Sequence, residues 1–178
     1  RKPVRIESIG PTLGYFAKVL RGIATGANEF FCLTKSQAAK LGIPQEFLIP
    51  MIGRTRDVAG DEISPDTINK LEAKGRPTLL FSPDGRPPYR FPEPVRQYLT
   101  RGEKMGIDRR PLIATRSPWY KMEVRVPPSI LFAYLGRRNA RFIRNPAGVV
   151  PLTGFLCVYP LQEDPIFVDK LWQVLRHP

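Results

Sequence analysis

The sequence predicts a β-rich α+β domain that ends in a helix. Three observations predict it. Short apolar runs bounded by Gly, Pro and Asn recur from Tyr15 to Tyr159. Helical signals fall at irregular places, without the βαβα rhythm of a doubly wound sheet. The stretch from Asp164 gathers its apolar residues on one helical face.

Taken in order, residues 1–12 read as an extended N-terminal arm or linker with Pro3 and Pro11, and residues 13–178 as one folded domain. Tyr15 to Leu20 reads as a strand, Arg21 to Asn28 as a glycine-punctuated turn and Glu29 to Leu33 as a returning strand, a hairpin-like opening. Gly22 and Gly26 lack the Gly-Lys-Ser/Thr ending of a nucleotide loop. Thr34 and Gln37 make a capping box for a helix over Lys35 to Leu41, closed by Gly42. Gln45 to Ile52 is an apolar run broken at Pro50, and Gly53-Arg54-Thr55-Arg56-Asp57 is a polar basic loop. Ser64 caps a helix that starts at Pro65 and runs to about Lys74, stopped by Gly75.

Pro77 to Phe81 has the composition of a buried strand. A third helix spans Pro94 to about Lys104, with Val95, Tyr98 and Leu99 on one face and Gly102 weakening it. Leu112 to Thr115, Lys121 to Val126, Ile130 to Leu135 and Gly154 to Tyr159 read as strands, with turns at Gly136 and at Asn145 to Gly148. The final helix presents Phe167, Val168, Leu171, Trp172, Val174 and Leu175 as its buried side.

With 42% hydrophobic residues in 178, the chain is long enough to bury a core. It has no run of transmembrane length, and its basic start lacks the apolar stretch of a signal peptide, so a membrane partner is not expected and a cytoplasmic protein is. Cys32 and Cys157 sit in apolar runs as core thiols. His177 is the single histidine, which removes histidine-based metal sites and Ser-His-Asp or Cys-His chemistry.

The net charge of +12 is local. Between Arg76 and Arg144, thirteen arginines and two lysines face five acids, a net +10. Arginine's planar fork suits a phosphate or the O6/N7 edge of guanine, so this stretch favours a nucleic-acid face. Candidate contacts are Arg54 and Arg56, Arg86 and Arg90, Arg109, Arg110 and Arg116, and Arg137, Arg138 and Arg141. Trp119 and Tyr120, beside three of these arginines, have the chemistry to stack on an unpaired base or line the face near an extruded one. The alternative, core aromatics, stays open.

Two other readings stay open as well. A nuclease would use Asp61 or Asp66 with Glu72 and Lys74, although these sit in or near a predicted helix whose charges face water. A basic protein-binding domain would turn the same charge toward an acidic partner. Arg86-Pro87-Pro88-Tyr89 resembles the Asp/Asn/Ser-Pro-Pro-Tyr/Phe tetrapeptide of amino-methyltransferases, but a cation in first place accepts no hydrogen bond, so it reads as a proline-stiffened loop.

The stretch Leu13 to Phe31, with Arg21-Gly22-Ile23-Ala24-Thr25-Gly26 followed by Asn28 and two phenylalanines, resembles the opening of the target-recognition domain in TaqI-like N6-adenine DNA methyltransferases of restriction-modification systems. Arg116-Ser117-Pro118-Trp119-Tyr120 resembles that domain's Arg-x-x-Trp-Tyr segment, and Asn145 to Tyr159 its closing strand region. The resemblance implies sequence-specific binding of double-stranded DNA by this segment. It also implies a partner outside it, an upstream N-terminal catalytic domain of the same polypeptide that holds S-adenosylmethionine and transfers the methyl group. No cofactor is expected in this segment.

Overall fold

A computed structural model describes residues 10–134 and 140–176. After a 3-10 turn at Leu13–Tyr15, the chain forms β1 (Ala17–Arg21), a one-turn helix α1 (Asn28–Phe31), β2 (Cys32–Leu33) and α2 (Lys35–Lys40). Next come β3 (Leu48–Ile52), a 3-10 turn at Thr55–Asp57, α3 (Pro65–Ala73) and β4 (Leu79–Phe81). Then follow α4 (Glu93–Lys104), α5 (Pro111–Ala114), β5 (Ile130–Ala133), β6 (Arg141–Arg144), β7 (Val150–Pro151), β8 (Phe155–Pro160) and α6 (Pro165–Arg176). Helices and two sheets make an α+β domain, as expected.

One sheet has the order β1-β8-β5-β6 and is antiparallel throughout; the other has the order β2-β4-β3-β7, with β3 and β7 parallel. The two are knitted where β7 turns into β8. There Gly22 donates to Phe155 and Ile23 to Pro151, so the chain leaving β1 runs against the β7–β8 corner. A Cβ on Gly22 would lie 2.2 Å from the Leu152 carbonyl oxygen, so the approach requires glycine. The Ala24 to Glu29 turn is thus mounted at the junction of the two sheets.

Beneath that turn lies the largest core, an aromatic cluster. Phe30 stacks on Tyr98 with ring centroids 4.5 Å apart and meets Phe31 edge to face at 5.0 Å. Tyr98 donates to the Phe30 carbonyl at 2.7 Å. Two smaller cores lie between α3 and the first sheet (Ile63, Leu71, Leu131, Phe155) and beneath α6 (Ala17, Ile130, Val158, Val168, Leu171).

Local signals suffice where a segment carries its own hydrogen bonds. Thr34 and Gln37 form the capping box of α2, Gly42 follows at φ +65°, and Ser64 caps α3 with Pro65 at its first position. Both cysteines are free and buried, as expected.

Several expectations are corrected. No opening hairpin forms: β1 pairs with β8 and β2 with β4. The expected strand Glu29 to Leu33 is α1 followed by the two residues of β2. Phe30 and Phe31 are both buried, which a helical turn permits and an alternating strand does not. Leu112 to Ala114 lies in helix α5, where Pro111 occupies the first position and Thr115 is the C-terminal cap. Lys121 to Val126 alternates in sequence but pairs with no strand among the described residues, and Val124 and Val126 are exposed. On α6, Val174 faces solvent at 70% exposure. Leu135 and the expected turn at Gly136 lie outside the described residues, as does most of the N-terminal arm.

Candidate nucleic-acid interface

The Ala24 to Glu29 turn is built by its own sequence and then clamped by two arginines. Gly26 takes φ +78°, and a Cβ there would meet Ile113 Cγ1 at 2.8 Å. The Thr25 hydroxyl, buried, donates to Asn28 Oδ1 and accepts from the Ala27 amide at 3.1 Å. Arg116 Nη2 donates to the carbonyls of Ala24 at 2.7 Å and Thr25 at 2.8 Å, while its guanidinium lies 5.6 Å from the Phe31 ring centroid. Burial lowers the pKa of this guanidinium, and the two carbonyl dipoles and the ring face oppose that penalty. Arg110 reaches the same turn from outside, with Nη1 3.4 Å from the Gly26 carbonyl and Nη2 2.5 Å from Glu29 Oε1. Its hydrogen bond holds the Glu29 carboxyl below the usual carboxylate range.

Open ground with cationic rims surrounds the turn. On one flank a cleft of about 520 Å³ joins Asn28 and Glu29 to Gly53, Arg54 and Arg76. Arg76 is held by Asp57 at 3.2 Å. Arg54 and Arg56 are exposed and have no ion-pair partner among the described residues. On the other flank a groove of about 290 Å³ joins Glu29 to Lys40, Arg101 and Met105. Arg109, next in sequence to Arg110, has its side chain 78% exposed and lies 4.0 Å from Asp108.

The structure gathers some of the candidate residues and disperses others. Arg54, Arg110 and Arg116 border the turn, and Arg109 adjoins Arg110 in sequence. Arg86 and Arg90 sit together on a separate loop, where Arg86 pairs with Asp84 at 2.6 Å and lies 5.5 Å from the Phe91 ring centroid, and Arg90 lies 6.0 Å from that of Tyr89. Arg141 ties β6 to the carbonyls of Val58 and Ala59. Arg137 and Arg138 lie outside the described residues.

The two aromatics belong to the core. Tyr120 is 3% exposed and donates to the Arg86 carbonyl at 2.7 Å. Trp119 is half-buried, packs between Phe30 and Tyr120 with centroids 5.9 and 5.7 Å away, and donates to Glu103 at 3.2 Å. In this arrangement both pack beneath the turn, Tyr120 enclosed and Trp119 still partly open to solvent.

Sequence reasoning passed over Glu29, Lys40 and Arg101. Glu29 escaped because a search for positive charge discards acids. Lys40 and Arg101 lie on separate helices that only the fold brings to one groove. Two of the four nuclease candidates are occupied: Asp61 pairs with Arg176 at 2.8 Å, and Glu72 pairs with Lys35 at 2.7 Å while accepting from Thr78. Among the described residues, no group of three or more His, Cys, Asp or Glu is placed to hold a metal ion.

Residues 4–167 match the family model described as the C-terminal domain of type II methyltransferase M.Eco57I. The chain is also 33% identical over 174 residues to type II methyltransferase M.AccI of Acinetobacter calcoaceticus, an alignment that covers 97% of this chain and 31% of that relative's length. With the match extending from before β1 into α6, the chain belongs to the family of M.Eco57I-type C-terminal domains of type II restriction-modification methyltransferases.

Proposed function

We propose that this chain is the DNA target-recognition domain of an adenine-specific N6 methyltransferase. The observation that carries the reading is the clamped turn at the sheet junction with the exposed Arg54 on its flank, Arg54 and its loop neighbour Arg56 having no ion-pair partner among the described residues. Cations without an ion-pair partner are available to neutralise phosphates, while a rigid turn beside them presents side chains to base edges. Methyl transfer belongs to a catalytic domain elsewhere in the same polypeptide, with S-adenosylmethionine as donor. That division agrees with the 31% of the M.AccI relative that the chain spans and with Arg86 in the first place of its Pro-Pro-Tyr segment. No helix among the described residues is long and apolar enough to cross a membrane. The proposed workplace is the cytoplasm, where the DNA lies.

Selection from a randomised duplex pool by the purified chain, with total binding followed across salt concentrations, tests this. The expected result is enrichment of one short motif, with N6-adenine methylation of that motif by the full-length enzyme. Salt-dependent binding with no enrichment would reduce the domain to a phosphate clamp. Retention of an acidic protein with no DNA binding at any salt would replace the reading with the protein-partner one.

A further inference from the structure

We infer that Glu29 and Arg110 together read one G·C base pair from the major groove, with Arg116 as the positioning residue behind them. The inference rests on the target-recognition reading above. It begins from a carboxylate in the wrong place: Glu29, its side chain 57% exposed, lies between the Arg54 flank and the Lys40 and Arg101 flank of a face meant for phosphates. An acid there repels the backbone of a nucleic acid. A purely structural role explains it poorly, because an exposed ion pair contributes little to stability.

Base chemistry gives the pair a purpose. Arg110 Nη2 and Glu29 Oε1 are 2.5 Å apart, so a donor stands beside an acceptor. The major-groove edge of a G·C pair is the complement, with guanine O6 and N7 as two adjacent acceptors beside the N4 amino donor of cytosine. Guanine alone offers an arginine fork two neighbouring acceptors on one base, and the cytosine amino group is the donor that a carboxylate accepts. Two of the five N-H groups of Arg110 are engaged within the protein, by Glu29 and by the Gly26 carbonyl, and three are left for guanine.

The pair is also held still. Arg116 fixes the carbonyls of Ala24 and Thr25, Thr25 and Asn28 close the turn, and Arg110 is itself anchored at Gly26. A reader already fixed in place gives up little freedom on binding. Arg116 is half-buried against Phe31, so its own charge serves the turn rather than a phosphate.

The test is duplex selection with the 178-residue chain and with Glu29→Ala and Arg110→Gln, each variant first matched to the wild type in thermal melting. Both substitutions should relax the same G·C position of the wild-type motif by about ten-fold, leaving every other position intact and the salt slope unchanged. A motif unaltered in both variants overturns the inference, as does relaxation at different positions or at an A·T pair. An intact motif with the Arg110→Gln slope reduced by about 0.9 overturns it in favour of a phosphate contact. If the wild-type chain enriches no motif, the target-recognition reading itself fails. That result is visible before any substitution is made.

Discussion

Two basic stretches look alike in sequence, and the fold gives their arginines opposite surroundings. In the stretch from Arg110 to Arg125, Arg110 is tied to Glu29, Arg116 to two carbonyls and Arg125 to Glu123. In the loop from Gly53 to Asp57, Arg54 and Arg56 point outward and pair with no acid among the described residues. The difference lies in what is within reach. A guanidinium beside buried carbonyls and an aromatic ring becomes part of the structure, and one on a loop without such neighbours keeps its donors for a ligand. Counting arginines therefore overestimates an interface, and asking what each one already holds corrects the count.

The largest effect should come from the inward side. Trp119→Ala removes the ring that packs on Phe30, Phe31 and Tyr120 and that lies 2.7 Å from where a Cβ on Gly102 would sit. Chemical denaturation should show a loss of about 3 kcal/mol, the lower end of the range for a large aromatic because the ring is only half-buried. A variant of unchanged stability would return Trp119 to the surface and reopen its stacking role.

Arg116→Ala should follow, at about 2 kcal/mol, from the removal of charge-assisted hydrogen bonds to Ala24 and Thr25. The comparison sharpens in a second measurement on the same variant. Its salt dependence of DNA binding should match the wild type, since a charge held by the turn releases no counterion. A reduced slope with unchanged stability would move Arg116 to the outward class.

What could be read from the sequence was what short segments decide alone. The Thr34–Gln37 box, the Ser64-Pro65 start and the glycine after α2 each carry their own hydrogen bonds or φ preference. What could not be read depends on distant partners. Phe30 enters a helical turn because Tyr98, 68 residues away, stacks on its ring and bonds its carbonyl. Lys121 to Val126 has the alternation of a strand, but among the described residues no neighbouring strand is placed to receive it. The direction of Arg116 was hidden for the same reason, its acceptors being 91 and 92 residues upstream. The turn itself was visible as a motif, while Glu29, its acidic member, ran against the charge pattern used to find the site.

The smallest effect on stability should come from the outward loop, and it decides the comparison. Changing Arg54 and Arg56 together to Ala removes two exposed side chains with no ion-pair partner among the described residues, so unfolding free energy should move by no more than about 0.5 kcal/mol. DNA binding should nonetheless weaken for every sequence alike, with the slope of log K against log salt falling by about 0.9 for each phosphate left without its arginine. Stability and slope thus separate the two loops in opposite directions: Arg116 changes the first and leaves the second, and the Arg54 and Arg56 pair does the reverse. If the loop variant keeps the wild-type slope, the DNA backbone runs elsewhere, and the Lys40 and Arg101 flank of the turn becomes the phosphate track to test by the same measurement.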